Sequence, residues 1–210
     1  MIAVDGPAAS GKGTIARALA QHFGLPHMDT GMLYRSVALN LWRWGGDPAS
    51  EFEALRACEA VAANPSDDPE LRTEAVSSIA SRISAYPSVR TALLDRQREF
   101  AGQPAGAVLD GRDIGTVIAP DAPAKLYVTA SAQVRAQRRV RELLARGIPA
   151  HFEDVLIDIE ARDARDSGRD AAPLRRAADA DLLDTSDLSV EEAVAEAIRL
   201  VERRLAAADA

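Results

Sequence analysis

Nine residues near the N-terminus constrain this chain more than any other feature. Gly6-Pro7-Ala8-Ala9-Ser10-Gly11-Lys12-Gly13-Thr14 follows a short apolar run, Ile2 to Val4. It opens onto a stripe of Ile15, Leu19 and Phe23, spaced as on one face of a helix. A strand, a small-residue loop and a helix in this order form a phosphate cradle. Small side chains let backbone N–H groups face an anion, and the helix start adds partial positive charge. Lys12 can reach the β and γ oxygens of a bound nucleotide. The bland alternative is an ordinary glycine-rich turn, but the strand–loop–helix context favours the cradle. Only Lys12 and Lys125 are lysines, and every other cation is arginine, so the lysine at the cradle stands out.

Elsewhere short apolar runs alternate with longer helical stripes, the pattern of βαβ units and a parallel sheet. Strands are expected at Ile2 to Val4, Pro26 to Met28, Ala107 to Leu109, Lys125 to Val128 and Asp181 to Leu183. Leu33, Val37, Leu41 and Trp44 mark a second helix, stopped at Gly45-Gly46. Ser50 with Glu53 reads as a capping box opening a helix through Val61. Asn64 to Pro69 reads as a polar turn, and two further helical stretches divide near Tyr86-Pro87. Ser131 to Arg146 is a basic helix, broken by Gly147 and Pro149 before another helix over His151 to Arg165. Ser189 with Glu192 caps a C-terminal helix striped by Val190, Val194, Ile198, Val201 and Leu205.

The chain has 210 residues, enough for one α/β domain, and a formal charge of −7. That balance speaks against bulk attraction to nucleic acid. Cys58 is the sole cysteine, so no internal disulfide can form. No apolar run reaches the roughly 18–20 residues that span a bilayer. Met1 to Asp5 carries no basic leader, so a cytoplasmic protein is expected, with no membrane partner.

Three further clusters are candidates for the site. Asp110-Gly111-Arg112-Asp113 ends a buried strand, where ligands of open parallel sheets bind. Asp110 can orient magnesium waters, and Arg112 can grip a phosphate with its planar fork. An exposed Arg–Asp turn is the alternative. Asp29 to Arg35 begins the second helix. Alone it reads as a capped amphipathic helix in which Asp29 or Thr30 is the cap and Arg35 a surface arginine. In Arg162 to Arg169, Arg162, Arg165, Asp166 and Arg169 fall on one helix face. Such a face is usually a solvated salt-bridge array. The second reading is an arginine lid that closes over phosphates and excludes water. His22, His27, His151 and Cys58 lack metal-site spacing and read as structural or surface residues.

Together these pieces resemble the bacterial cytidylate kinases. The resemblance is carried by Gly6 to Thr14, Asp29 to Arg35, Ala85-Tyr86-Pro87-Ser88-Val89-Arg90, Asp110-Gly111-Arg112-Asp113-Ile114-Gly115-Thr116 and Arg162 to Arg169, in family order across nearly the whole chain. It implies a P-loop kinase: an α/β fold with a five-stranded parallel sheet flanked by helices, a substrate-binding insertion and a lid. The implied core is residues 1–35, 103–145 and 172–210, with the insertion at about 36–102 and the lid at about 146–171. The implied reaction moves the γ-phosphate of ATP to CMP, or dCMP, with Mg2+ as cofactor and a monomer as the working unit. By the same resemblance Ser81, Arg90 and Asp113 read the cytosine. Arg162 and Asp166 hold the ribose, and Arg35, Arg112 and Arg169 meet the acceptor phosphate. Thr30 stands where the family often has serine and is counted with the substrate residues. Lys12, Arg112, Arg162 and Arg169 are the implied catalytic group. Gly6, Pro7, Ala8, Ala9, Ser10, Gly11, Gly13 and Thr14 surround the ATP phosphates.

The hydroxyl residue of this loop comes one place later than in most P-loops, after Gly13. Gly-Lys-Gly-Thr resembles the nucleoside-monophosphate kinase variant, whose metal is held largely through water. The resemblance implies Asp110 as the metal residue, through water, and Thr14 as a phosphate contact. Longer family members carry a small β-sheet between the counterparts of Ser50 and Thr73, and Asn64 to Pro69 leaves no room for it.

Competing readings are another small P-loop kinase acting on UMP, AMP or a non-nucleotide acceptor, a GTPase switch, and a non-catalytic nucleotide binder. The Asp110 to Thr116 block argues against the first. No Asn-Lys-x-Asp motif supports the second, and Lys12 with Asp110 argues against the third.

Overall fold

A computed structural model describes residues 1–61 and 68–208. Strands β1 (Ile2–Asp5), β2 (His27–Asp29), β3 (Val108–Gly111), β4 (Ala124–Thr129) and β5 (Asp181–Asp184) form one sheet. Their order is β2-β3-β1-β4-β5, and every pairing is parallel. The period of two in β1 sends Ile2 and Val4 to one face and Ala3 to the other. Ile2 and Val4 pack with Ile15 and Leu19 of α1 (Lys12–Phe23) and with Ala197 and Val201 of α8 (Val190–Ala208). Ala3 packs with Leu109, Ile114 and Ile118. Burial on both faces explains why these strands read as continuous apolar runs.

The chain leaves β1 toward β2 and leaves β3 toward β4, on opposite sides. The carboxyl ends of β1 and β3 therefore open a crevice between diverging loops. The phosphate loop follows β1, and the Asp110 to Asp113 block straddles the end of β3.

Residues between β2 and β3 build a helical unit: α2 (Thr30–Arg43), α3 (Glu51–Cys58), a 3-10 turn (Pro69–Arg72), α4 (Glu74–Ile83) and α5 (Pro87–Ala101). Leu33, Val37, Leu41, Leu71, Val76, Ile83, Val89 and Leu93 form its own core. The helix α2 runs unbroken from the sheet into this unit. α3 ends at Cys58 rather than Val61. Ser50 caps it by accepting from Glu53 N, but the Glu53 carboxylate accepts from Asp47 N instead of returning to Ser50. At α8 the reciprocal box is complete, with Ser189 N donating to Glu192 and Glu192 N donating to Ser189. Of the expected turn Asn64 to Pro69, residues 64–67 lie outside the described residues. The described residues between Ser50 and Thr73 contain no strand.

After β4 come α6 (Ala132–Ala145) and α7 (Phe152–Gly168), packed closely against each other. Among the described residues, no helix is long and apolar enough to cross a membrane.

One glycine at the cradle is required sterically. A Cβ on Gly6 would lie 2.0 Å from the Val128 carbonyl oxygen, and its φ of 155° is one that L side chains rarely adopt. The clash is with backbone in the central sheet, so neither side can move cheaply. Gly6→Ala should cost at least about 2 kcal/mol of stability. A urea unfolding midpoint equal to that of the unmodified protein would contradict this.

Candidate active site

α1 begins at Lys12, and its N-cap Gly11 lies in the left-handed region (φ 87°) with no side-chain cap. Thr14 N and Ile15 N donate to Gly11 O, which leaves the N–H groups of Lys12 and Gly13 at the helix start for an anion in the loop. Lys12 is half-buried, and its Nζ lies 3.5 Å from the Pro7 carbonyl. Burial first, then the Arg112 charge, lower its pKa from 10.5 to about 7. A cation so destabilised gains from any anion placed beside it. Thr14 is exposed, and its hydroxyl accepts from Arg17.

On one side of the loop a cleft of about 710 Å³ is lined by Ala9, Ser10, Gly11 and Thr14, by Arg138, and by Thr185 to Ser189. Arg138 donates to both the hydroxyl and the carbonyl of Thr185, and Thr185 donates to Ser10 O, so the three segments are tied together. On the other side lies a cleft of about 350 Å³, where Lys12, Asp29, Arg35, Ser81, Arg112, Arg162 and Arg165 converge. Beyond it a cavity of about 50 Å³ is lined by Thr30, Arg35, Ser81, Arg90, Arg112, Asp113, Arg162, Asp166 and Arg169. All nine residues expected at the substrate side thus meet in one place.

Arg90 bonds the Asp113 carboxylate, and Arg169 Nη2 stands 3.8 Å from its other oxygen. Arg112 Nε donates to Asp166 at 2.8 Å. Burial alone would raise Asp166, but Arg112 and Arg162 reverse this and hold it below the usual carboxylate range. Asp166 in turn raises Arg112 against the effect of burial. Arg162 feels Asp166 only at a distance and makes no hydrogen bond or ion pair among the described residues. Burial and the Arg112 charge lower it to about 9, and its buried Nε makes no hydrogen bond. Buried polar groups left unpaired are costly, which marks Arg162 as a group shaped for an external acceptor.

Four expectations change here. Arg169 does not share the helix face of Arg162, Arg165 and Asp166. α7 ends at Gly168, and Arg169 is extended (φ −72°, ψ 143°), donating to Ala172 O and Ser84 Oγ. The stretch is not a solvated salt-bridge face either, since Asp166 is 3% exposed and paired across the fold. Finally, neither Asp29 nor Thr30 caps α2 with its side chain. Thr30 Oγ1 instead donates to Asp110 O at 2.9 Å. That contact depends on Gly111, where a Cβ would lie 2.5 Å from Thr30 Oγ1. Arg35 is likewise no surface arginine: it is half-buried and reaches Leu71 O.

Asp110 is 2% exposed. Its Oδ1 accepts from His27 Nε2 at 2.7 Å, and Oδ2 faces Gly13 of the loop. His27 therefore belongs to the site, not to the surface. The other histidines are as expected, His22 lying on the outside beside Glu202 and His151 exposed.

Asp5 is a further residue that motif reading passes over. It is buried, and its two oxygens accept from Ile114 N and Gly115 N at 2.8 Å each. It thus anchors the π-helical turn Ile114–Ile118 that follows Asp113. Burial pushes its carboxyl up to about 7, against the pull of those two N–H groups. The available signal was a lone charge at the end of an apolar strand.

A parallel sheet with a phosphate loop after its central strand, and arginines and aspartates converging beyond that loop, defines a P-loop kinase. A model of the cytidylate kinase family matches residues 2–203. Over 208 residues the chain is 55% identical to the cytidylate kinase of Xanthobacter autotrophicus, covering 98% of this chain and 99% of that one. It is 60% identical over 180 residues to the cytidylate kinase of a Methylobacterium species, covering 86% of each. A crystal structure of an uncharacterized protein from Eubacterium ventriosum superposes with a TM-score of 0.55 at 14% identity, covering 96% of this chain and 97% of that one, and shares the fold. The chain belongs to the cytidylate kinase family.

Proposed function

We propose that the protein transfers the γ-phosphate of ATP to CMP and to dCMP, giving ADP and CDP or dCDP. The observation that carries this is the placement of Lys12, Arg35, Arg112 and Arg162 around one cleft, between the phosphate loop and the cavity of nine substrate residues. A phosphate oxygen of the acceptor attacks the γ-phosphorus as the bond to the β–γ bridging oxygen breaks. The acceptor is already an anion, so no strong base is needed. The work is to bring two anions into line and to neutralise their charge.

In this reading the N–H groups of Gly6 to Thr14 and the Lys12 ammonium hold the ATP phosphates. Arg35, Arg112 and Arg169 take the acceptor phosphate, Arg162 and Asp166 the ribose, and Ser81, Arg90 and Asp113 the base. The Asp110 carboxylate beside Gly13 fits a magnesium ion held through its water shell, since one oxygen is fixed by His27 and the other faces the loop. When bound, magnesium neutralises charge on the β and γ phosphate oxygens. Thr30 fixes the chain end that carries Asp110.

A coupled assay across all ribo- and deoxynucleoside monophosphates tests the assignment. CMP and dCMP should lead, and a preference for UMP or AMP would overturn it.

The 50 Å³ cavity shares Arg35, Ser81, Arg112 and Arg162 with the adjoining cleft of about 350 Å³, a volume within the range of ligand sites. Arg162 and Asp166, both assigned to CMP in this reading, are carried on α7. Binding of an ATP analogue with CMP should therefore slow amide hydrogen exchange across residues 151–169. Unchanged exchange in that segment would count against a closing lid.

A further inference from the structure

Arg135, outside the residues assigned to nucleotide above, ties two parts of the site together. It lies in the first turn of α6 and is 5% exposed. Its Nε donates to Ala130 O at 2.8 Å, and Nη1 donates to Ala8 O at 3.3 Å. Nη1 and Nη2 also donate to the two oxygens of Asp163 at 3.2 Å and 2.6 Å. One planar guanidinium thus holds a carbonyl of the phosphate loop and, by a two-bond fork, a carboxylate of α7.

The positions of these partners give the contact its consequence. Asp163 directly follows Arg162, whose Nε is buried and unpaired. Asp166, three residues on, receives Arg112. α7 is therefore clamped on both sides of Arg162, toward the phosphate loop through Asp163 and toward the acceptor cavity through Asp166. At the loop end, Ala9 has a φ of 58°. A non-glycine residue in that region is strained, and such strain is kept where the surroundings over-determine it. The Ala8–Ala9 peptide is held so, with its own carbonyl oxygen, Ala8 O, fixed by Arg135.

We infer that Arg135 and Asp163 form a strap that transmits donor occupancy of the phosphate loop to the position of Arg162 on α7, so that donor and acceptor bind cooperatively. The inference rests on the kinase reading above. Phosphates drawing on the loop N–H groups bias the strained peptide. Arg135 is rigid in its plane, so a shift of Ala8 O is passed to Asp163, and α7 carries Arg162 with it. Neither Arg135 nor Asp163 lines any of the three clefts. Both are positioning residues, and by linkage the coupling works equally in either direction.

Calorimetry on the full chain tests this, with a non-hydrolysable ATP analogue plus magnesium as donor probe and CMP as acceptor. In the unmodified protein a saturating analogue should tighten CMP binding by at least about fivefold. In Asp163→Asn, which keeps the volume and breaks the charged fork, that factor should fall below about twofold, while the analogue's own affinity without CMP moves less than about threefold. A merely structural tie would lower the melting temperature and leave the coupling intact. Arg135→Lys keeps the cation but loses the fork, and should fall between the two. Full coupling in folded Asp163→Asn overturns the strap, as does absence of coupling in an unmodified protein that phosphorylates CMP. If that protein phosphorylates a different monophosphate, the kinase reading is corrected and the coupling is measured with that acceptor. One measurement needs no variant: the analogue alone should slow exchange at residues 160–168 of the unmodified protein, and no change there overturns the strap as well.

Discussion

Replacing Lys12 with methionine should lower kcat by at least about a hundredfold, and should also stabilise the ligand-free protein near pH 7. The first effect follows from the proposed role of Lys12, a cation set against the charge that develops on the transferred phosphoryl group. Removing one such group typically costs about 3–4 kcal/mol of transition-state stabilisation. The second follows from linkage. Burial and the neighbouring Arg112 lower Lys12 from 10.5 to about 7 in the folded chain. Between those values the unfolded chain binds more protons, so this group makes stability rise with pH across that window. Below about 7 the cost of holding the buried cation is present in full. Methionine removes it. The gain in melting temperature of the variant should therefore be largest at about pH 6 and shrink toward pH 10. Added ATP should raise the melting temperature of the unmodified protein more than that of the variant. Near-normal kcat in Lys12→Met would remove Lys12 from the reaction, and an equal melting difference at every pH would remove the electrostatic account of its burial.

CMP should be preferred to UMP by at least about a hundredfold in kcat/KM, roughly 2.7 kcal/mol. Cytosine offers an exocyclic amine donor beside a ring nitrogen acceptor and a carbonyl. Asp113, 6% exposed, can accept from the amine, while Arg90 and Ser81 can donate to the acceptor positions. The Asp113 oxygen that faces Arg169 is 3.8 Å from it, so that oxygen is only loosely engaged and can take the amine. Uracil places a carbonyl there, acceptor against acceptor, in a site where an unpaired polar atom is expensive. Asp113→Asn can donate to that carbonyl and should narrow the CMP-to-UMP ratio by at least about tenfold. It also leaves Arg90 without its ion pair, so total activity should fall as well. Both substrates must be measured in both proteins. Equal use of UMP by the unmodified chain, or an unchanged ratio in an active Asp113→Asn, would show that another group reads the base.

What the sequence determined by itself is what depends on neighbours along the chain. The cradle of Gly6 to Thr14, the five apolar strands and the Ser189–Glu192 cap are local patterns, set by backbone N–H alignment and by periods of two and 3.6. The structure kept them with ends shifted by a residue or two, as at His27–Asp29 and Val108–Gly111. The nine residues that line the small cavity were singled out too, but only through the family resemblance, because no local rule joins Ser81 to Asp166. Tertiary structure alone decided which charges pair. Arg112 meets Asp166 across 54 positions, and Asp5 meets the Ile114 and Gly115 amides across 109 and 110. It moved His27 into the site, because parallel pairing of β2 with β3 sets the two strands side by side and brings its ring to Asp110. It also took Arg169 off the helix face, since the chain turns at Gly168 and Leu174 N closes back onto Asp166 O. These outcomes share one cause. An ion pair or a buried carboxylate is selected by distance and burial, and both come from packing distant segments together rather than from spacing along the chain.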